Sequence, residues 1–398
     1  MKHGGDRLKA GILFTIAACL FCLCSCSEST SPSPKTETTG KAPVTEHTVS
    51  STKPTTAATK HIETNSSSEM NHSISVDDLF KKLEESAEAF SQTITMRGKV
   101  SEDTIKKAFE RLYHEHPEYF WVRNYEYELS NTELTLKLEP FQDYTVSQLQ
   151  QMYQEMKKKA TGIVAGIPQN ISAYDKILQI HDYLIRTTTY DYLSVEQGNT
   201  ENLLIYSAYG CLMEGKAVCE GYARAFQYIM KLLGIESGTC TGSAGNEHHA
   251  WNYVRIDDAY YWLDVTWDDT NDMEYPNTNL ISHCFFLLND ELFLRSHVLD
   301  NTNYYVPVCK EITENYFHKN GLCFEQYDFA AFNPVFSAEF QKYDGAEIMF
   351  SSETEYRKAL KSLMEEKEIW DADCFKDHSM QITYSKRDDL LVLSFLKL

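Results

Sequence analysis

The sequence predicts an α+β fold. Three observations predict it: apolar residues recur at helical spacing in six stretches, strand-like runs pair across short polar turns, and 42% hydrophobic content in 398 residues can bury a sizeable core. The first helical stretch starts near Val76, with Val76, Leu79, Phe80, Leu83, Ala87 and Phe90 on one face. A second follows Ser101, carrying Ile105, Ala108, Phe109, Leu112 and Tyr113, and Pro117 stops it. "YFWV" and "YEYELSNTELTLKL" read as strands, the latter turning at Ser130–Asn131. Helices are expected over Ser147–Ile167 and Ala173–Thr187, and again over Gly215–Ile235. "TCTGSAGNEHH" reads as a Gly-rich turn, and "AWNYVRI" and "YYWLDVTW" as a hairpin closed by Asp257–Asp258. After Gln326 come a loop-rich stretch, a strand "AEIMF", a helix "SETEYRKALKSLMEEKE" and a hairpin "MQITYSKRDDLLVLSFL". Pattern alone leaves open whether this last piece extends the core sheet or forms its own small α+β unit.

The N-terminus carries Lys2, Arg7 and Lys9, the apolar run "AGILFTIAACLFCL" and then an abrupt change to polar sequence, as a secretory signal does. "LCSC" at Leu23–Cys26 resembles a bacterial lipobox, which implies lipidation of Cys26, a membrane anchor and an extracytoplasmic location. The expected organisation is a lipoprotein signal at 1–25, a disordered Ser/Thr/Pro-rich tether at 26–75, an α+β helper region at 76–170, a central core at 171–326 and an α+β extension at 327–398.

A net charge of −21 repels nucleic acid, which is set aside as a partner. Beyond Cys26, the cysteines are Cys211, Cys219, Cys240, Cys284, Cys309, Cys323 and Cys374. They contain no C-x-x-C pair, so they offer neither a zinc spacing nor a compact disulfide framework. No acidic calcium loop is present, and no cofactor or metal is expected. The 25 Tyr and 20 Phe are explained by core and sheet packing more simply than by a carbohydrate surface.

Chemistry concentrates at Cys219. It lies in the first turn of its helix on the inward face with Tyr222, Ala223, Phe226, Met230 and Leu233, and Gly234 ends the helix. None of Gly215 to Val218 has the short oxygen-bearing side chain that usually caps a helix start. The first-turn N–H groups and the helix dipole there favour a thiolate, and the same donors can hold the oxyanion of a tetrahedral intermediate. His248 and His249 offer an acid for the leaving nitrogen, and Asp264 offers a carboxylate to fix the imidazole tautomer. A lone inward cysteine is ordinarily a packing residue. Order and company set this one apart. His181 with Asp182 reads as a capped or solvated pair, and His283 beside Cys284 offers too few groups for a site.

"GKAVCEGYARAF", "HAWNYVRI" and "YYWLDVTWDD", in this order, resemble the three motifs of the transglutaminase-like superfamily of papain-like thiol enzymes. The likeness runs from about Ala173 to Asn289. It implies a papain-like core, with the nucleophile-bearing helix packed on an antiparallel sheet. By the same resemblance Cys219 is the nucleophile, His249 the general acid/base and Asp264 the orienting carboxylate. His249 is chosen over His248 because the family's histidine directly precedes Ala-Trp-Asn, here Ala250–Trp251–Asn252. Trp251 and Trp262 would shield the ion pair from water. Asp258–Ala259 stand where many relatives have a glycine in the hairpin turn. The activity so implied is a cysteine peptidase or amidase that forms an acyl-thioester on peptide or side-chain amide bonds of a peptide or protein, cell-wall peptide among them. A cross-linking acyltransferase and a catalytically silent binding module remain open.

Overall fold

The computed structural model describes residues 9–11, 73–130, 132–140, 144–196, 202–245, 247–270, 279–376 and 381–398. Cys26 and the expected tether, as far as residue 72, lie outside them; its last three residues, 73–75, are folded instead, with Ser73 bridged to Lys99, Ile74 buried and Ser75 capping a helix. Among the described residues no helix is long and apolar enough to cross a membrane.

The N-terminal region begins with α1 (Val76–Glu88), started by a capping box between Ser75 and Asp78. β1 (Thr93–Arg97) follows, and then α2 (Glu102–Glu115), whose Ser101 cap accepts from the Thr104 N–H. β2 (Val122–Leu129) and β3 (Glu133–Pro140) complete an antiparallel sheet ordered β2-β3-β1. Lys9–Gly11, inside the stretch expected to be a signal, instead runs antiparallel to Glu126–Glu128 at its other edge. Leu134, Leu136 and Leu138 alternate inward along β3, as a half-buried strand requires. "YFWV" is only half a strand. Tyr119–Trp121 turn the chain away from α2, held by the Tyr119 N–H on His116 O and the Val122 N–H on Tyr119 O, and the strand starts at Val122.

In the core, α3 (Val146–Ala165) and α4 (Ala173–Thr187) precede α5 (Cys219–Leu233), which ends on Gly234 at φ 72°. The expected helix start at Gly215 is four residues early. Gly215 takes φ 65° to close a preceding turn, and Lys216–Ala217 pair in parallel with Thr189–Tyr190. The core sheet comprises β4 (Ser237–Ala244), β5 (Glu247–Ile256), β6 (Ala259–Leu263) and β7 (His297–Leu299), in the antiparallel order β7-β4-β5-β6. Asn252 Nδ2 fastens α5 to this sheet by donating to Ala223 O at 3.0 Å and Gly238 O at 3.2 Å.

β4 overturns the reading of its sequence as a turn. Its glycines serve close approach: a Cβ on Gly242 would lie 2.0 Å from Val298 O, and one on Gly238 would lie 2.4 Å from the Tyr253 hydroxyl. The expected hairpin does form, with Asp257 at φ 52° in its turn, but β6 stops at Leu263, and Asp264 instead begins a one-turn helix, α6 (Val265–Asp268).

The stretch read as loop-rich contains α7 (Phe329–Tyr343), which carries Pro334 in its interior. Phe332, Phe336 and Phe340 form its buried stripe. β8 (Gly345–Phe350), α8 (Glu353–Leu360), β9 (Ile382–Arg387) and β10 (Val392–Lys397) follow. β8, β10 and β9, with Cys323–Phe324 parallel to β8, make a separate sheet. Its apolar face shares one cluster with Trp251, Tyr253 and Trp262 of the core sheet. Val254 and Ile256, of opposite pleat, belong to the cluster that contains α5. The core is α+β, with an antiparallel sheet between the cysteine-bearing helix and the C-terminal layer.

Candidate active site

Val218 begins α5 in an extended conformation and makes no side-chain cap hydrogen bond, so no side chain of its own competes for the first-turn amides that cap chemistry leaves over. Cys219 follows, 5% exposed, in a small apolar cluster with Ala223 and Ala250 and with Tyr190 packed against it. Ala250 directly follows His249 on β5; strand alternation sends the His249 ring to the face of Trp251, next to the backbone stretch that Cys219 packs against. The register Gly242↔His249 fixes the strand phase. It leaves His248 exposed and encloses His249.

His249 Nε2 lies 2.6 Å from Asp264 Oδ2. The Asp264 carboxylate is held from several sides. Its Oδ1 accepts the N–H groups of Thr266 at 3.0 Å and Trp267 at 3.1 Å, so it caps α6, and the Asp264 N–H donates to Phe285 O at 3.1 Å. A second histidine, His297 on β7, places Nε2 3.1 Å from the same Oδ2. Burial opposes ionisation of Asp264, but the charge and hydrogen bond of His249, helped by His297, outweigh it and hold the carboxyl well below the usual carboxylate range. Burial acts the other way on His297 and pushes it below the ordinary imidazole value despite Asp264. Its Nδ1 lies 2.9 Å from Ser296 Oγ.

Aromatic rings enclose this group. Trp251 and Trp267 lie 6.0 Å and 5.6 Å from the His249 ring, and Phe293 stacks on His297 at 3.9 Å. Trp262, expected beside the imidazole, lies a layer further back. It stacks on Phe293 at 5.5 Å and donates its indole N–H to Asp290 Oδ1 at 2.8 Å. Trp267 takes the place expected for it.

The helper region grips α5 from the side. Arg224 donates to Tyr113 O at 3.1 Å and lies over the Tyr113 ring, Gln227 donates to His114 O at 2.7 Å, and Tyr113 Oη donates to Glu220 next to the cysteine.

His297 was not visible in the sequence. It stands alone in "RSHVL", and only the pairing of β7 with β4 brings it to Asp264. Two histidine–carboxylate groups among the described residues have metal-binding donor sets: His249, Asp264 and His297, and separately His181, Asp182 and His283. His181, read from the sequence as a capped or solvated residue, is fully buried between Asp182 and Asp268.

A model of the Transglutaminase-like superfamily matches residues 157–267. The chain is 25% identical over 203 residues to kyphoscoliosis peptidase of Mus musculus, covering 47% of this chain and 29% of that protein. It is 27% identical over 125 residues to the Homo sapiens protein of the same name, covering 26% of this chain and 19% of that one. It therefore spans less than a third of the length of these relatives. Among solved structures, a TGase aligns at 14% identity with a TM-score of 0.28, covering 48% of this chain and 54% of the other. The family match contains α5, the histidine strand and the Asp264 turn, so residues 157–267 of this chain are a transglutaminase-like superfamily domain.

Proposed function

We propose that this chain is a cysteine peptidase or amidase in which Cys219, His249 and Asp264 act as nucleophile, acid/base and orienting carboxylate. The observation that carries the reading is the 2.6 Å contact between His249 Nε2 and a fully buried Asp264, one residue from the Ala250 against which Cys219 packs. With Nε2–H donated to Asp264, Nδ1 is the ring nitrogen that takes the proton of the Cys219 thiol. The thiolate attacks the amide carbonyl, and the first-turn amides of α5 receive the developing oxyanion. The imidazolium then protonates the leaving amine as the thioester forms. Water, deprotonated by His249, resolves the thioester to acid and regenerates the thiol. The mouse and human relatives are named peptidases, which favours water over an amine as the final acceptor.

The test is partition of the acyl-enzyme. A peptide library is incubated with the chain in the presence and absence of a labelled primary amine. Hydrolysed products with no amine adduct are expected. Amine incorporation as the main product would replace this reading by an acyltransferase.

The site's location is part of the proposal. Lys2, Arg7 and Lys9, the apolar run and "LCSC" support a lipid anchor on Cys26 at the extracytoplasmic face. Membrane-fraction recovery and incorporation of labelled fatty acid are expected for the unaltered chain and lost in Cys26→Ala. Equal labelling of both would remove the anchor from the account.

A further inference from the structure

The second histidine–carboxylate group lies outside the thiol site, on α4 and on the segment after α6. Asp182 Oδ1 lies 3.1 Å from His181 Nδ1 and 2.9 Å from His283 Nε2. Donors about 2.1 Å from a common zinc ion stand about 2.9–3.4 Å apart, from right-angled to tetrahedral disposition. Both Asp182 separations fall in this range, and the three donor atoms all lie within 4.8 Å of one another.

The surroundings are those a metal-binding histidine needs. His181 presents its other nitrogen, Nε2, to Asp268 Oδ2 at 3.1 Å, and Asp268 is itself held by the Phe285 N–H at 2.9 Å and by Ser282 Oγ at 3.4 Å. A carboxylate behind an imidazole fixes which nitrogen faces the metal and raises its basicity. His283 is clamped by the Tyr316 ring, stacked at 3.9 Å, and by Glu347, which accepts its backbone N–H at 3.1 Å. Asp182 and Asp268 thus flank the His181 imidazole, and Arg186 reaches Asp182 Oδ2 at 3.3 Å, which leaves Oδ1 to the two imidazoles. The Asp182 side chain is 18% exposed, so the group touches solvent through it.

We propose that His181 Nδ1, Asp182 Oδ1 and His283 Nε2 bind a divalent transition-metal ion, zinc by the chemistry of two imidazoles and one carboxylate, with water completing the coordination. The ion takes the place of two protons: the one between His181 Nδ1 and Asp182 Oδ1 is released to solvent, and the one between His283 Nε2 and Asp182 Oδ1 passes through solvent to His283 Nδ1. Its mechanical effect reaches the thiol site, because Asp268 ends the one-turn helix α6 that Asp264 begins. A filled site ties α4, the segment at 282–285 and α6 together.

The full chain, stripped with chelator, is titrated with Co²⁺ and then with Zn²⁺. One equivalent of Co²⁺ with visible ligand-field bands, displaced by Zn²⁺, and a Zn²⁺-dependent rise in the thermal midpoint are expected. Asp182→Asn and His283→Gln, close in shape to the originals and checked for folding by circular dichroism, should each weaken binding at least about tenfold. His297→Gln should bind as the unaltered chain does. His181 is left intact because it is fully enclosed. The proposal is overturned if the stripped chain takes up no Co²⁺ at micromolar concentration, if Asp182→Asn and His283→Gln bind undiminished, or if binding disappears in His297→Gln, which would put the ion on the Asp264 group.

Discussion

Cys219→Ala is expected to reduce peptide hydrolysis at least about 10³-fold, equivalent to about 4 kcal/mol of transition-state stabilisation, because no other group in the site can form the thioester. The substitution removes one sulfur from a cluster whose other members are Ala223 and Ala250, so the fold should survive it. The thermal midpoint is therefore expected within a few degrees of the unaltered value while turnover disappears. Cys219→Ser keeps the shape but replaces the thiol with a hydroxyl of much higher pKa, and should be nearly as inactive. Retained hydrolysis in either variant would move the nucleophile elsewhere. The other described thiols are poor alternatives. Burial pushes Cys211 and Cys240 up to about 12 and Cys323 up to about 11, and Cys284 also lies well above the ordinary thiol value.

The second large effect belongs to Asp264, where catalysis and stability meet in one carboxylate. Asp264→Asn keeps an oxygen for the Thr266 and Trp267 amides but turns an N–H₂ group toward His249 Nε2, which favours the wrong imidazole tautomer. A fall in kcat of about 10²–10⁴-fold is expected, with modest loss of stability. Asp264→Ala goes further. It uncaps α6 and leaves His249 and His297 buried without their shared acceptor, for a destabilisation of about 3–5 kcal/mol. The pH dependence follows from the depressed carboxyl. A group whose folded value lies below its unfolded value, about 3.9 for aspartate, contributes its full stabilisation above that value and loses it as pH falls toward the folded one. Denaturant midpoints should therefore drop on acidification below about pH 4 more steeply in the unaltered chain than in Asp264→Asn. Parallel acid limbs would deny the carboxylate its role.

Much of this was readable from residues alone, and the reasons differ by element. α5 announced itself through an unbroken apolar face and a terminal glycine, and Cys219 through what was missing in front of it. Both rest on local rules, and the structure keeps Val218 uncapped and Gly234 left-handed. β4 failed because its glycines carry two meanings. In "TCTGSAG" they look like turn residues, whereas Gly238 and Gly242 make room for Tyr253 and for the β7 backbone, partners set by tertiary pairing. α7 was hidden by Pro334, which removes one helical donor, while the packing of Phe332, Phe336 and Phe340 outweighs that loss. Asp264 was singled out for its carboxylate, but as a strand residue. That it is also a helix cap depends on the chain bending after Leu263. His297 and the His181–Asp182–His283 group are products of the fold, since their partners stand 33, 87 and 101 residues away in sequence.

The central claim is that His249 and Asp264 hold Cys219 as a thiolate at neutral pH, and alkylation rate against pH measures it directly. Iodoacetamide labelling, followed residue by residue, should be fast at Cys219 from about pH 6 upward and nearly flat to pH 8, while Cys374, whose thiol burial raises, stays unlabelled. His249→Ala should return Cys219 to the rising profile of an ordinary thiol near 8.5. A Cys219 that follows that profile in the unaltered chain, and does not change in His249→Ala, would contradict the account.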